Sequence, residues 1–218
     1  MLPAAILAAG ASSRMGAPKA LLQHRDGRTF LAAACAALRE AGLGPVHVVV
    51  AEPHRAQIER AARACGAATL LNPAPERGQV SSMAIALGLG APCVLVALVD
   101  QPELDLTVLR ALAAAAAREP GAVHLPLFRG QRGHPVVLPI SLAAPLRDAR
   151  PGESAREVIA RAGLLVREHP LDAPGILLDL DTPEELARWQ AAEALHAAAA
   201  APGADRPPGS LQAVEDER

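Results

Sequence analysis

Aromatic side chains are almost missing from this chain, which has no tyrosine, one tryptophan and two phenylalanines among 218 residues. Proteins that grip single-stranded nucleic acid stack bases on aromatic faces, and too few are present here to build such a platform. Positive charge is not in excess either. Twenty-one Lys and Arg face 23 Asp and Glu, a formal net charge of −2, so the electrostatic footprint for DNA or RNA is missing. Cysteine is scarce. Cys35, Cys65 and Cys93 lie far apart in apolar stretches and form no CxxC pair. That pattern supports neither a zinc site nor a disulfide framework, and a reducing compartment is the expectation. The apolar run at residues 2–9 (LPAAILAA) is too short to span a bilayer, has no basic region before it and leads into a polar loop. A buried strand, with no membrane association, in a cytosolic protein is the expectation.

What is present is apolar mass in short pieces. Hydrophobic residues make up 51% of the chain and charged ones 20%, enough for one globular α/β domain with a core and too short a chain for two. Candidate strands are Ala4–Ala8, Val46–Ala51, Ala68–Leu71, Cys93–Val99, Ala122–Leu125, Val136–Leu138 and Leu164–Glu168. Several are continuous apolar runs, as expected of strands covered on both faces of a mostly parallel sheet. Helical patterns fill the gaps near Thr29–Ala41, His54–Cys65, Ser81–Leu89, Leu106–Arg118 and Ser154–Ala162. Ser154 with Glu157, and Thr182 with Glu185 and Pro183, read as capping boxes. The alternation predicts a three-layer α/β fold with right-handed crossovers and a ligand crevice at the carboxyl ends of the strands. The predicted domain covers residues 1–190. Residues 191–218 turn Ala-rich, then polar with paired prolines, and are expected to form a frayed helix end and a disordered tail.

Chemistry concentrates first in residues 5–22, AILAAGASSRMGAPKALL. A strand ends near Ala8, and Gly10 and Gly16 bracket a loop with two cations. Glycines let main-chain amides approach phosphate oxygens. Arg14 can fork two such oxygens, and Lys19 adds a compact point charge. A surface loop with merely solvated cations is the competing reading, and placement directly after the first buried strand weighs against it. Neither GxxxxGK[ST] nor GxGxxG is present, which excludes a P-loop and argues against an NAD-linked oxidoreductase.

Acidic residues supply the complement. Asp100, in Val99-Asp100-Gln101-Pro102, follows a long apolar strand and so sits where the crevice should be. Mg²⁺ at nucleotide sites is held by one or two carboxylates plus phosphates and water. Asp100 could instead cap the next helix, but Asp105 and Thr107 stand closer to its start. A second cluster, Asp179, Asp181 and Thr182 before Pro183, contains ordinary helix-start residues; Thr182 as the cap spares Asp181 that duty. Between Asn72 and Ser82, Ser81 or Ser82 is expected to cap a helix whose N-terminus would face an anion. Arg129–Pro135 reads as a basic hairpin turn.

These motifs together resemble the molybdenum-cofactor nucleotidyltransferases, the family of cytidylyl and guanylyl enzymes. LAAGASSRMGAPKALL is similar to the family's LAAGxSxRMGxPKxLL signature, and the resemblance runs from Ala4 to about Trp189. It implies a three-layer α/β/α, Rossmann-like nucleotidyltransferase fold with a mostly parallel mixed sheet. It further implies that Leu7, Ala8, Ala9 and Gly10 contact base and ribose and that Arg14 and Lys19 bind the triphosphate. Asp100 in its DQP tripeptide and Asp181 in its LDTPEE stretch would be the Mg²⁺ ligands, with Asp179 as the weaker candidate. Asn72, Gly78 and Ser82 would help hold the nucleotide. Arg132, Gly133 and His134 of the RGHP segment would meet the acceptor, a molybdopterin-type phosphate, with His134 as a contact rather than a base. The guanylyl branch has LAGG where this chain has Leu7-Ala8-Ala9-Gly10, which tilts the expected donor toward CTP. The product would pass, through a transient contact, to a molybdoenzyme or its chaperone. The alternatives are the same chemistry with GTP or with another acceptor such as a sugar phosphate, or a non-catalytic cofactor chaperone.

Overall fold

The computed structural model describes residues 1–12 and 15–200. Its strands form one sheet: β1 (Ala4–Leu7), β2 (Val46–Val50), β3 (Ala68–Leu71), β4 (Cys93–Leu98), β5 (Val123–Phe128), β6 (Gln131–Arg132), β7 (Val136–Pro139) and β8 (Val166–Pro170). The order across the sheet is 3-2-1-4-7-5-6, with β8 also paired to β5. β3, β2, β1 and β4 are mutually parallel, and β7 runs antiparallel between β4 and β5. This is the mostly parallel sheet that the apolar runs predict, with antiparallel pairings at β7 and β6.

Around it lie α1 (Phe30–Glu40), α2 (Arg55–Ala64), α3 (Gln79–Leu87), α4 (Leu106–Arg118), α5 (Ala143–Arg147), α6 (Ala155–Arg161) and α7 (Pro183–Ala200). The period-2 alternation of a strand divides them into two layers. Ala4, Ile6 and Ala8 face a core with Phe30, Leu31 and Leu38 of α1, Ile58 of α2 and Leu109 and Leu112 of α4. Ala5, Leu7 and Ala9 face the opposite core, with Val80, Met83 and Leu87 of α3 and Leu146 of α5. Truncating one of these wholly buried leucines, Leu38 for instance, should cost about 2–5 kcal/mol through lost transfer energy and a cavity.

Helix starts follow their capping chemistry. Thr29 accepts from Ala32 N in front of α1, Asp105 accepts from Thr107 N and Val108 N in front of α4, and Ser154 with Glu157 closes a capping box on α6. Thr182 accepts from Glu185 N while the Glu185 carboxylate takes the N–H groups of Asp181 and Thr182. α3 departs from expectation. It begins at Gln79 behind Gly78, whose φ of 76° serves as the break, so Ser81 and Ser82 lie inside its first turn rather than at its cap. Of the segment 191–218, α7 runs through residue 200, and residues 201–218 lie outside the described residues. Among the described residues, no helix is long and apolar enough to cross a membrane.

Candidate active site

Register sets the position of the site. Leu7 on β1 stands opposite Leu98 on β4 and Val49 on β2, so the chain leaves both central strands at one edge. After β1 the chain crosses to β2 on one side, while β4 comes in on the other. That reversal opens a crevice between the carboxyl ends of β1 and β4, and the loop after Leu7 and the turn at Asp100 fill its rim.

The loop after β1 is tightly wound. Ser12 has a φ of 49° and its carbonyl accepts from Met15 N at 3.0 Å, while its hydroxyl accepts the Lys19 main-chain N–H at 3.1 Å. Pro18 starts a 3-10 turn at Lys19–Leu21 and points the lysine back across the strand ends. There Lys19 Nζ donates to Asp100 Oδ2 at 2.9 Å and to Asp181 Oδ1 at 2.5 Å. Burial alone pulls the ammonium down, but hydrogen bonds to Asp181 and Asp100, reinforced by their charges, outweigh it and hold the Lys19 pKa above its ordinary value. The lysine is therefore charged at neutral pH where it meets the two carboxylates.

Two adjoining cavities surround this triad. One, of about 260 Å³, is lined by Leu7, Ala8, Gly10, Ser12, Lys19, Asp100 and Asp181 among others. The second, of about 220 Å³, shares Leu7, Gly10 and Asp100 with it and adds Ala9, Gly78, Gln79 and Ser82. Asn72 is 2% exposed and lines neither. Its amide donates to the hydroxyls of Ser81 and Ser82, both at 2.9 Å, and its Oδ1 accepts from Ala74 N. It holds the first turn of α3 in place behind Ser82. Arg14 lies outside the described residues.

The RGHP segment lines a separate, larger cavity of about 910 Å³ with Arg132, Gly133 and His134 on its wall. Arg132 pairs with Glu168 at 2.6 Å. His134 Nδ1 is buried without a hydrogen-bond partner among the described residues, and burial pushes the imidazole down to about 4 against an opposing pull from Asp100. The ring is neutral at pH 7, which fits a contact better than an anion-binding cation. Gly133 is packed so closely that a Cβ would stand 2.3 Å from the Ile176 carbonyl oxygen, the same oxygen that accepts from His134 N.

The donor set suits a hard divalent cation completed by substrate. Lys19 reaches both carboxylates at once, so Asp100 and Asp181 are near enough to share one ion, and both offer the oxygen ligands Mg²⁺ prefers. Among the described residues no cluster of three His, Cys, Asp or Glu side chains could hold a metal. Such a pair needs phosphate and water to fill the remaining positions. Asp179 stands next to the triad but is engaged by Gln101 Nε2 at 2.8 Å. Ser12, Gln79 and Gln101 are the site residues that motif reading passed over. His24, His47, His54, His124 and His169 line neither of the two adjoining cavities; His124, for one, is buried against His169 and the Glu119 carbonyl.

Known proteins share this architecture. The family model of the MobA-like NTP transferase domain matches residues 4–168. A probable molybdenum cofactor guanylyltransferase from Opitutus terrae is 30% identical over 194 residues, covering 88% of this chain and 89% of its own. Among solved structures, a nucleotidyl transferase from Methanothermobacter, Mth528, superposes with a TM-score of 0.75 at 21% identity, covering 90% of this chain and 99% of its own. Rv0371c from Mycobacterium tuberculosis H37Rv does so with a TM-score of 0.72 at 22% identity, over 88% and 98%, and a second structure of it is a complex with manganese. At such identities the structural matches speak for the fold, while the family match spans most of the chain. The protein is a nucleotidyltransferase, a member of the MobA-like NTP transferase domain family.

Proposed function

We propose that this chain transfers CMP from CTP to the phosphate of molybdopterin and releases pyrophosphate. The observation that carries the reading is Lys19 lying between Asp100 and Asp181 at the crevice between β1 and β4. An oxygen of the acceptor phosphate attacks the α-phosphorus in line, the bond from that phosphorus to the oxygen bridging the β-phosphate breaks, and pyrophosphate leaves with it. Little covalent work falls to the protein in such a reaction; positioning and charge neutralisation dominate. Lys19, with Arg14, offsets charge on the departing pyrophosphate. Leu7, Ala8 and Gly10 floor the donor cavity, Ala9, Gly78 and Ser82 wall the base, and Asn72 keeps Ser82 in place. Asp100 and Asp181 hold Mg²⁺, which when bound supplies Lewis-acid neutralisation of phosphate oxygens. Arg132, Gly133 and His134 receive the acceptor, with neutral His134 as a hydrogen-bonding contact.

The base choice follows from Ala9. Ala9 lines the smaller cavity, of about 220 Å³, at the position where the guanylyl branch has glycine, and this tilts the donor toward CTP. A second reading, GTP as donor, is favoured by the Opitutus terrae relative, a probable molybdenum cofactor guanylyltransferase. Pyrophosphate release from CTP, GTP, ATP and UTP, with Mg²⁺ and with or without molybdopterin, separates them. Molybdopterin-dependent release from CTP is expected. Preference for GTP replaces the donor, release with a sugar phosphate alone replaces the acceptor, and molybdopterin binding without release from any nucleotide makes the chain a carrier.

A further inference from the structure

Asp181 is carried on a stretch without regular structure, between a 3-10 turn at Pro174–Leu177 and α7. A carboxylate on such a stretch needs outside support to keep its place opposite a partner on a strand end. Two hydrogen bonds tie it to the residues at the end of β4. Leu180 N donates to the Asp100 carbonyl at 3.1 Å, and the Gln101 carboxamide donates through Nε2 to Asp179 Oδ1 at 2.8 Å. A second, longer contact runs from Gln101 Nε2 to the Ile176 carbonyl at 3.5 Å. Gln101 is only 4% exposed, and its Oε1 is buried with no partner among the described residues. The amide turns its nitrogen toward Asp179 and its oxygen into the unpartnered position. An aliphatic side chain would fill the same space and leave no unpaired acceptor. What the amide adds is its hold on Asp179.

We infer that Gln101 and Asp179 form a brace that sets Asp181 opposite Asp100, which makes Gln101 a positioning residue and leaves Asp179 outside the metal ligands. The inference rests on the reading of Asp100 and Asp181 as the carboxylates that hold the ion. Their geometry fits a fixed spacing: Lys19 reaches one oxygen of each, while Asp179 Oδ1 is occupied by Gln101.

The test is Mn²⁺ binding to the full chain, followed by the EPR signal of the free ion, with the thermal midpoint of each variant measured alongside. Outer partners of metal ligands typically tune affinity by about 10–100-fold, so Gln101→Leu and Asp179→Ala should each weaken Mn²⁺ binding by about 10-fold or more. The double variant should lose little beyond either single one, because both remove the same contact. Asp179→Asn keeps an acceptor oxygen for Gln101 while losing the charge, and should bind Mn²⁺ as the unmodified chain does. If Asp179→Asn loses as much affinity as Asp181→Asn, Asp179 is a ligand and the inference is overturned. Wild-type affinity in Asp179→Ala also overturns it, and this variant changes a solvent-exposed residue, so the test does not depend on Gln101→Leu folding. If Asp100→Ala binds Mn²⁺ as tightly as the unmodified chain, the metal reading itself fails, and the brace with it.

Discussion

Lys19 Nζ lies 2.5 Å from Asp181 Oδ1 across 162 residues of chain, and 2.9 Å from Asp100 Oδ2. One ammonium therefore bridges two carboxylates from distant parts of the chain. Lys19→Met removes the ammonium that bridges that pair. Mn²⁺ affinity measured by EPR without added nucleotide should then rise, while kcat/KM for the nucleoside triphosphate falls by about 10²-fold or more, the usual cost of one charge-stabilising donor. If metal affinity and turnover both fall, Lys19 is serving only to hold the loop.

Asp100 belongs to the turn at the end of β4, with its side chain 28% exposed. Its main-chain carbonyl, not its carboxylate, holds Leu180. Asp100→Ala should therefore keep the fold, read by circular dichroism, and lose turnover, read by pyrophosphate release. Near-normal activity would remove Asp100 from the reaction.

Asn72 spends its carboxamide on Ser81, Ser82 and Ala74 N in a fully buried setting. Asn72→Ala should cost about 1–3 kcal/mol in denaturant unfolding, the range for stranding buried polar partners. As the first turn of α3 loosens behind Ser82, KM for the nucleotide should rise more than kcat falls. An unchanged KM would separate Asn72 from nucleotide binding.

Gly133 has no room for a side chain, since a Cβ would lie 2.3 Å from the Ile176 oxygen and 2.8 Å from its carbonyl carbon. Main chain must move to admit it. Gly133→Ala should destabilise by about 1–3 kcal/mol, as overpacking does, and should reduce activity, because Ile176 lies on the stretch that leads to Asp181. A thermal midpoint equal to that of the unmodified chain would count against this packing.

The neutral His134 sets a pH dependence. Burial lowers its pKa to about 4 from the ordinary 6.5, so the unfolded chain binds the proton more readily than the folded one. Stability from this group is intact above about pH 6.5 and is lost as pH falls toward 4, reaching on the order of 3 kcal/mol there. Comparing unfolding curves of the unmodified chain and His134→Gln across pH 4–7 should show a shallower slope in the variant. Parallel slopes would mean that the imidazole titrates normally.

Much of this was legible residue by residue. All seven candidate strands appear within a few residues of their expected ends, because continuous apolar runs between breakers have little choice but to be buried in a sheet. Capping boxes at Ser154 and Thr182 were readable for the same local reason. β6, two residues long, and α5, five residues long with Pro145 inside it, were not, since such short elements are imposed by their neighbours rather than by a period of their own. Ser81 and Ser82 misled because their residue type favours a cap, whereas the break in the chain belongs to Gly78 and the hydroxyls are held by Asn72 nine and ten residues away.

The sequence by itself determined the α/β alternation, the loop with Lys19 after the first strand and the carboxylates at 100 and 181, because periodicity, capping and side-chain charge are local properties. Only the tertiary structure decided which of these groups meet. The placement of β4 beside β1, with Leu7 opposite Leu98, and the pairing of Gln101 with Asp179 across 78 residues depend on the packing of distant segments. No stretch of chain read alone carries that information.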